Sequence, residues 1–204
     1  MNNCPLYNKS IFLIKILLIY LILSTKSFGA ENGKFKNITE GNENAKITIL
    51  VYESLTCPHC ATFHKKIYPN LKKDFIDKGL VKIEFRSFPL DLASLNASKI
   101  AHCKNDGKPD ILHFLYKNQD IWTKGETIDE INFNLKEIIN KGNFEINIKK
   151  CINNKKIEDH ILEERIESVK KFEIDSTPTL IINNKKFDKL LNYKNLKKTI
   201  EKLI

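Results

Sequence analysis

The sequence predicts an α/β fold in which a small sheet is interrupted by a block of helices. Three observations carry that prediction. Two β-rich stretches, "ITILVYES" (47–54) and "LVKIEFRSF" (80–88), flank an apolar face at Phe63, Ile67, Leu71 and Phe75, which gives strand, helix and strand at the length of a parallel crossover. The region from Leu92 to Phe172 then reads as four or five short helices. β signals return at "TLII" (179–182), ahead of a closing amphipathic segment, "YKNLKKTIEKLI".

Taken in order, the first element is an export signal. Lys9 and Lys15 supply positive charge, "ILLIYLIL" (16–23) is a short apolar core, and Ser27 and Gly29 are small residues placed for cleavage after Gly29. The apolar run is shorter than the about 20 residues that a membrane span needs. An uncleaved membrane anchor is the alternative. Residues 30–46 form a polar lead-in with a possible edge strand at Phe35–Ile38.

The helix after the first strong strand should run to about Lys78 and stop at Gly79. Pro69 lies inside its apolar pattern, removes a backbone donor, and should kink the helix or restart it. In the helical block, "TIDEINFNLKEII" opens on a capping box, Thr127 with Glu130, and "ILEERIESVKKF" offers Ile161, Ile166, Val169 and Phe172 as an apolar face. Asn183 and Asn184 tolerate positive φ and fit a two-residue hairpin turn between "TLII" and "KKF".

Composition narrows the function classes. A chain of 204 residues with 42% hydrophobic and 29% charged residues suits one globular domain with a sizeable core. The formal charge of +9 falls to +6 once residues 1–29 and their three lysines are removed. The remaining lysines are interleaved with acids, and no Arg-rich stripe with aromatics appears, so a solvated basic surface is expected and a nucleic-acid partner is not. Four cysteines remain in the exported chain: Cys57, Cys60, Cys103 and Cys151. An even count in an oxidising compartment points to disulfide chemistry.

Cys57 and Cys60 bracket Pro58 and His59 in "SLTCPHCATFH", where a strand hands over to a helix. A structural zinc site needs four ligands, and neither a second C-x-x-C nor a spaced histidine pair supplies them, so no metal is expected. A static bond across two residues gains little from loop closure. Redox chemistry explains the placement better. A thiolate is the attacking species, and unpaired N–H groups at a helix N-terminus lower its pKa. Cys57 is then the nucleophile and Cys60 the resolving partner. His59 adds positive charge, and Pro58 stiffens the first turn. His64 lines the same helix, while His102, His113 and His160 read as helix-surface residues and Trp122 as core or groove wall.

The CPHC with "YESLT" before it and "ATFH" after it, the helix containing Pro69, "NQDIW" (118–122) and the distant "STPTLIINNKKF" resemble the DsbA-like thiol oxidoreductases of the thioredoxin superfamily, in that family's order. The resemblance spans nearly the whole mature chain. It implies a thioredoxin fold with an inserted helical domain: residues 1–29 as signal peptide, 30–91 and 173–204 as the two parts of the thioredoxin fold, and 92–172 as the insertion. It implies a cis Thr177–Pro178 bond beside the CPHC, with Thr177 and Pro178 receiving an extended substrate. Four cysteines allow three connectivities. The resemblance favours a structural Cys103–Cys151 disulfide over two free thiols or a second redox centre.

The function it implies is donation of disulfides, in the periplasm, to reduced unfolded secreted proteins. The redox-active disulfide serves as its own electron acceptor, no other cofactor is needed, a membrane oxidase of the DsbB type restores it, and a monomer is expected. A reductase or isomerase on the same scaffold and a non-catalytic peptide-binding module are the alternatives. The sequence departs from the family at one place. Relatives carry an acid six residues before the first cysteine, where Val51 stands here; Glu53, four residues before it, either substitutes or faces solvent.

Overall fold

The computed structural model describes residues 35–204; the expected signal peptide lies outside the described residues. Five strands form one mixed sheet: β1 (Ile38–Gly41), β2 (Ile47–Glu53), β3 (Val81–Ser87), β4 (Thr179–Ile182) and β5 (Lys185–Lys186), in the order β1-β3-β2-β4-β5. β2 lies at the centre, parallel to β3 from Ile47↔Val81 to Glu53↔Ser87 and antiparallel to β4 from Ile49↔Ile182 to Tyr52↔Thr179. A strand covered on both faces should be apolar nearly throughout, and "ITILVY" is. The edge strand expected at Phe35–Ile38 falls instead at Ile38–Gly41, antiparallel to β3.

The helix after β2 is one helical run of alternating tightness: α1 (Pro58–Thr62), a π turn (Phe63–Ile67), α2 (Tyr68–Leu71) and a second π turn (Lys72–Ile76). Both expectations for Pro69 meet here. The wider turn ahead of it absorbs the missing donor, and α2 restarts with proline in its first turn. The wide turns also explain the apolar spacing. On a uniform α-helix, steps of four residues drift by about 40° each. With π turns interposed, Phe63, Ile67, Leu71 and Phe75 all stay in the core. Gly79 ends the run at φ 70°, where Leu80 N–H bonds back to Phe75 O at 3.0 Å.

Between β3 and β4 lie six helices: α3 (Leu92–Ala101), α4 (Asp110–Lys117), α5 (Gln119–Trp122), α6 (Ile128–Gly142), α7 (Ile148–Ile152) and α8 (Lys155–Phe172). The Thr127–Glu130 capping box opens α6. α8 corrects the expected apolar face. Its buried residues are Ile157, Ile161, Glu164 and Ser168, whereas Ile166 and Val169 are exposed. The reason is an ion pair: Arg86 of β3 meets Glu164 at 2.5 Å and Glu84 at 2.5 Å, and so turns a polar position toward the sheet. Two histidines expected on helix surfaces are also placed differently. His102 is buried against Ser87, and burial holds its pKa down to about 3, so it stays neutral; His113 is half-buried.

The chain closes with the β4–β5 hairpin, whose Asn183 and Asn184 have φ of 45° and 65°, and with α9 (Tyr193–Glu201). Among the described residues, no helix is long and apolar enough to cross a membrane. Cys103, just after α3, is bonded to Cys151 in α7, with 5.4 Å between their Cα atoms and 48 residues of separation. Loop-closure entropy over that span amounts to about 4 kcal/mol. Replacing both cysteines by alanine should therefore lower the unfolding free energy in urea by about that much. An unchanged midpoint and slope would show that the bond does not constrain the unfolded chain.

Candidate functional site

β2 ends at Glu53, and the four residues that follow turn the chain into α1. Cys57 is the N-cap of α1, with extended backbone, and Pro58 occupies the first helical position. The turn is held from three directions. Cys57 N–H bonds to Ser54 O at 3.0 Å. Gln119 of α5 donates to Leu55 O at 2.7 Å and to Cys57 O at 3.0 Å. Ser94 accepts from Leu55 N–H at 3.0 Å, and Asp91, which also caps α3, accepts from Thr56 at 2.7 Å. The helical block therefore fixes the backbone that carries Cys57. Gln119 sat in the "NQDIW" stretch, yet its contact with this turn was not legible from sequence; Asp91 and Ser94 carried only the pattern of a helix cap.

The two cysteines are unbonded thiols in unequal surroundings. Cys57 is 6% exposed and Cys60 is fully buried. Cys57 is held down to about 5, mainly because the Cys60 thiol donates to it; the backbone N–H groups of Cys60 and His59 add to this against the cost of burial. Cys60 moves the other way. Burial pushes it far up, and the Cys57 hydrogen bond and the Glu53 charge push it further. So one thiol ionises readily while the other keeps its proton and shares it. His59 acts through its backbone; its ring is exposed, as is Pro58.

The Thr177–Pro178 bond is cis, and Thr177 O accepts from the Cys57 thiol at 3.3 Å. Residues 120 apart in sequence thus meet at the reactive sulfur. Glu53 stands beneath the site, buried, two residues beyond Val51 and so on the same side of the strand. It does not face solvent. His64 Nε2 meets its Oε2 at 2.8 Å, and its Oε1 has no partner. The Tyr116 ring stacks on His64 at 4.0 Å; burial raises its phenol well above the usual pKa, and the nearby Glu53 charge adds to this. Trp122 is fully buried and donates to Leu115 O at 2.9 Å, which makes it core. Among the described residues, no three His, Cys, Asp or Glu side chains are grouped to hold a metal ion. The arrangement can carry thiol–disulfide exchange at Cys57, with an extended chain pairing at Thr177.

Comparison with known proteins agrees with this geometry. A family profile described as Thioredoxin matches residues 34–202. A Rickettsia bellii protein that carries a provisional protein-disulfide oxidoreductase name is 30% identical over 145 residues, which is 70% of this chain and 55% of that protein. The chain spans about half the length of the Rickettsia relatives it matches. Disulfide bond formation protein D of Bacillus subtilis is 27% identical over 179 residues, covering 79% of this chain and 74% of that protein. The crystal structure of Wolbachia pipientis alpha-DsbA1 superposes with a TM-score of 0.74 at 29% identity, covering 82% of this chain and 90% of that one. Oxidised BdbD of Bacillus subtilis superposes with a TM-score of 0.68 at 25% identity, covering 82% and 92%.

The thiol asymmetry has a measurable consequence. The alkylation rate of Cys57 in the reduced protein should reach half its maximum near pH 5, and Cys60→Ala should move that midpoint upward by removing the largest stabilising donor. A parent midpoint in the ordinary thiol range, about 8.5, would contradict the assignment. Linkage gives the same sign in stability. Below the ordinary thiol pKa, Cys60 is protonated in folded and unfolded chains alike, so Cys57 sets the slope. Its depressed pKa stabilises the reduced fold fully above the unfolded thiol value, and the gain disappears as pH falls through about 5.

Proposed function

The chain belongs to the thioredoxin family, and from that premise we propose that it is an exported thiol–disulfide oxidase that donates the Cys57–Cys60 disulfide to newly translocated proteins. The observation that carries the reading is the split between the two thiols. A stable Cys57 thiolate favours the reduced pair and so makes the disulfide form an oxidant.

The cycle begins when a thiolate of an unfolded client attacks the Cys57 sulfur of the oxidised pair. The Cys57–Cys60 bond breaks, a client–Cys57 bond forms, and the electron pair leaves on Cys60, which takes a proton. A second client thiolate then attacks the client sulfur of the mixed disulfide. The client leaves oxidised, and Cys57 leaves as a thiolate. Pairing of the client backbone at Thr177, against Pro178, holds the incoming sulfur in line with Cys57.

The clients are reduced, unfolded secreted proteins in the periplasm. No cofactor beyond the cysteine pair is required, since the pair itself accepts two electrons. A membrane oxidase of the DsbB type removes them again, and the protein acts as a monomer. The resemblance to DsbA-like chains and to disulfide bond formation protein D supports this assignment of partner and compartment.

Purified oxidised protein mixed with a reduced, unfolded substrate should pass its disulfide rapidly, and Cys60→Ala should accumulate mixed disulfides through Cys57. Trapping through Cys103, or activity confined to scrambled disulfides starting from the reduced protein, would overturn the reading.

A further inference from the structure

Outside residues 1–29 the chain carries a net charge of +6, and that charge is unevenly placed. Residues 185–204 hold seven lysines against two acids, Asp188 and Glu201, so +5 of it lies in β5, α9 and the segments beside them. Residues 30–184 are close to neutral, because their lysines are interleaved with acids.

The fold gathers these lysines on one face. α9 buries Leu196 and Ile200. Lys198 stands two residues from each, about 200° around the helix, and so points to solvent. Lys194 and Lys202, about one turn to either side, continue the exposed stripe. Beyond α9 the chain lies against the β4–β5 hairpin, where a cavity of about 380 Å³ is lined by Ile182, Phe187 and Leu203 with Lys185, Lys189 and Asp188. Lys197 pairs with Asp74 at 3.6 Å, and Lys186 with Asp175 at 3.9 Å. Lys185, Lys189, Lys194, Lys198 and Lys202 have no acid partner among the described residues.

Lysines on an edge strand keep it from pairing with another sheet, which accounts for Lys185 and Lys186. That does not account for the stripe on α9, which has no strand edge to guard. Nor does it account for the apolar neighbours. Leu190, just before α9, is 78% exposed, and Leu203, just after it, is 45% exposed. Exposed leucines beside unpaired lysines match a lipid interface, with ammonium groups at the phosphates and apolar side chains at the headgroup boundary. Residues 185–204 contain no arginine, so the face lacks the planar forks that grip a fixed polyanion. Flexible point charges suit the mobile phosphates of a bilayer.

We propose that the β5–α9 face docks on an anionic membrane surface, with Lys194, Lys198 and Lys202 over lipid phosphates and Leu190 and Leu203 among the headgroups. The face lies away from the reactive sulfur. Asn183 N–H bonds to Thr48 O at 3.0 Å near the start of β2, whereas Cys57 follows the end of that strand. Tyr193 and Lys197 of α9 both meet Asp74, seventeen residues beyond Cys57 along the helical run. A docked protein therefore keeps its cysteine pair uncovered for clients. It is also held at the bilayer, where the local concentration of a membrane oxidase is raised.

The test uses the chain from Ala30 onward, which contains the whole described fold and lacks the apolar leader, in co-sedimentation with vesicles. Vesicles of equal parts phosphatidylcholine and phosphatidylglycerol should bind it at low ionic strength, and high salt should release it. Vesicles of phosphatidylcholine alone should not bind it. A lysine at an anionic surface adds roughly fivefold to the partition constant, so Lys194→Gln/Lys198→Gln/Lys202→Gln should lose about a hundred-fold. The same loss of charge on the helical block, at exposed Lys149, Lys150 and Lys156, should cost less than about tenfold. Leu190→Ser with Leu203→Ser should weaken binding by about tenfold. All three variants should be reduced by dithiothreitol at the parent rate, because the redox pair lies at the other end of the fold. A parent that ignores the anionic vesicles, equal losses in the two lysine triples, or a leucine variant that binds like the parent would each overturn the proposal. Dithiothreitol and vesicles need no client, so these outcomes are independent of whether the protein oxidises unfolded chains.

Discussion

Burial of Cys60 at the point where the central strand turns into a helix is the constraint around which the site is arranged. In that setting a thiolate would lose its hydration with nothing to replace it, so the sulfur keeps its proton. The retained proton is then available to Cys57, one helical turn away, and becomes the largest single cause of that residue's low pKa. Neither thiol has its character alone. The strand fixes the depth of Cys60, α1 supplies the N–H groups, and the cis bond at Pro178 brings Thr177 to the same sulfur.

The helical block takes part through the backbone. Gln119 of α5 and Ser94 at the start of α3 hold the turn at Leu55–Cys57 by three hydrogen bonds. The Cys103–Cys151 bond ties the end of α3 to α7, and so braces the helix that carries Ser94 far from the reacting sulfurs. Beneath the turn, a buried carboxylate would be costly if unpaired. Glu53 meets that cost with His64, two residues along the strand from the place that the family pattern marks.

Local chemistry made much of this legible. The β-branched run of β2, the capping box at Thr127, the paired asparagines of the hairpin and the proline-containing helix each announce themselves through backbone preferences. The C-P-H-C pair told its own placement, and the likeness to known chains pointed to Thr177 and Pro178. What stayed hidden was decided by partners distant in sequence. Ile166 and Val169 lost their place in the core to an ion pair between Arg86 and Glu164, 78 residues apart. His64 read only as a residue of the active-site helix and His113 as a helix-surface residue, because the contacts that matter are with each other and, for His64, with Glu53. Spacing of four residues from Phe63 to Phe75 was a sign of wide helical turns, readable only once the turns were seen.

The claim at the centre is that one cysteine of the pair is a thiolate and the other a thiol throughout the working pH range. The pH dependence of the reduction potential of the Cys57–Cys60 disulfide, measured by equilibration with glutathione from about pH 6 to 8, tests it most directly. Two electrons taken up with one proton give a slope of about 30 mV per pH unit, which is the result expected here. A slope of about 59 mV per pH unit, from two protons per two electrons, would mean that Cys57 is protonated like any other thiol, and would contradict the account.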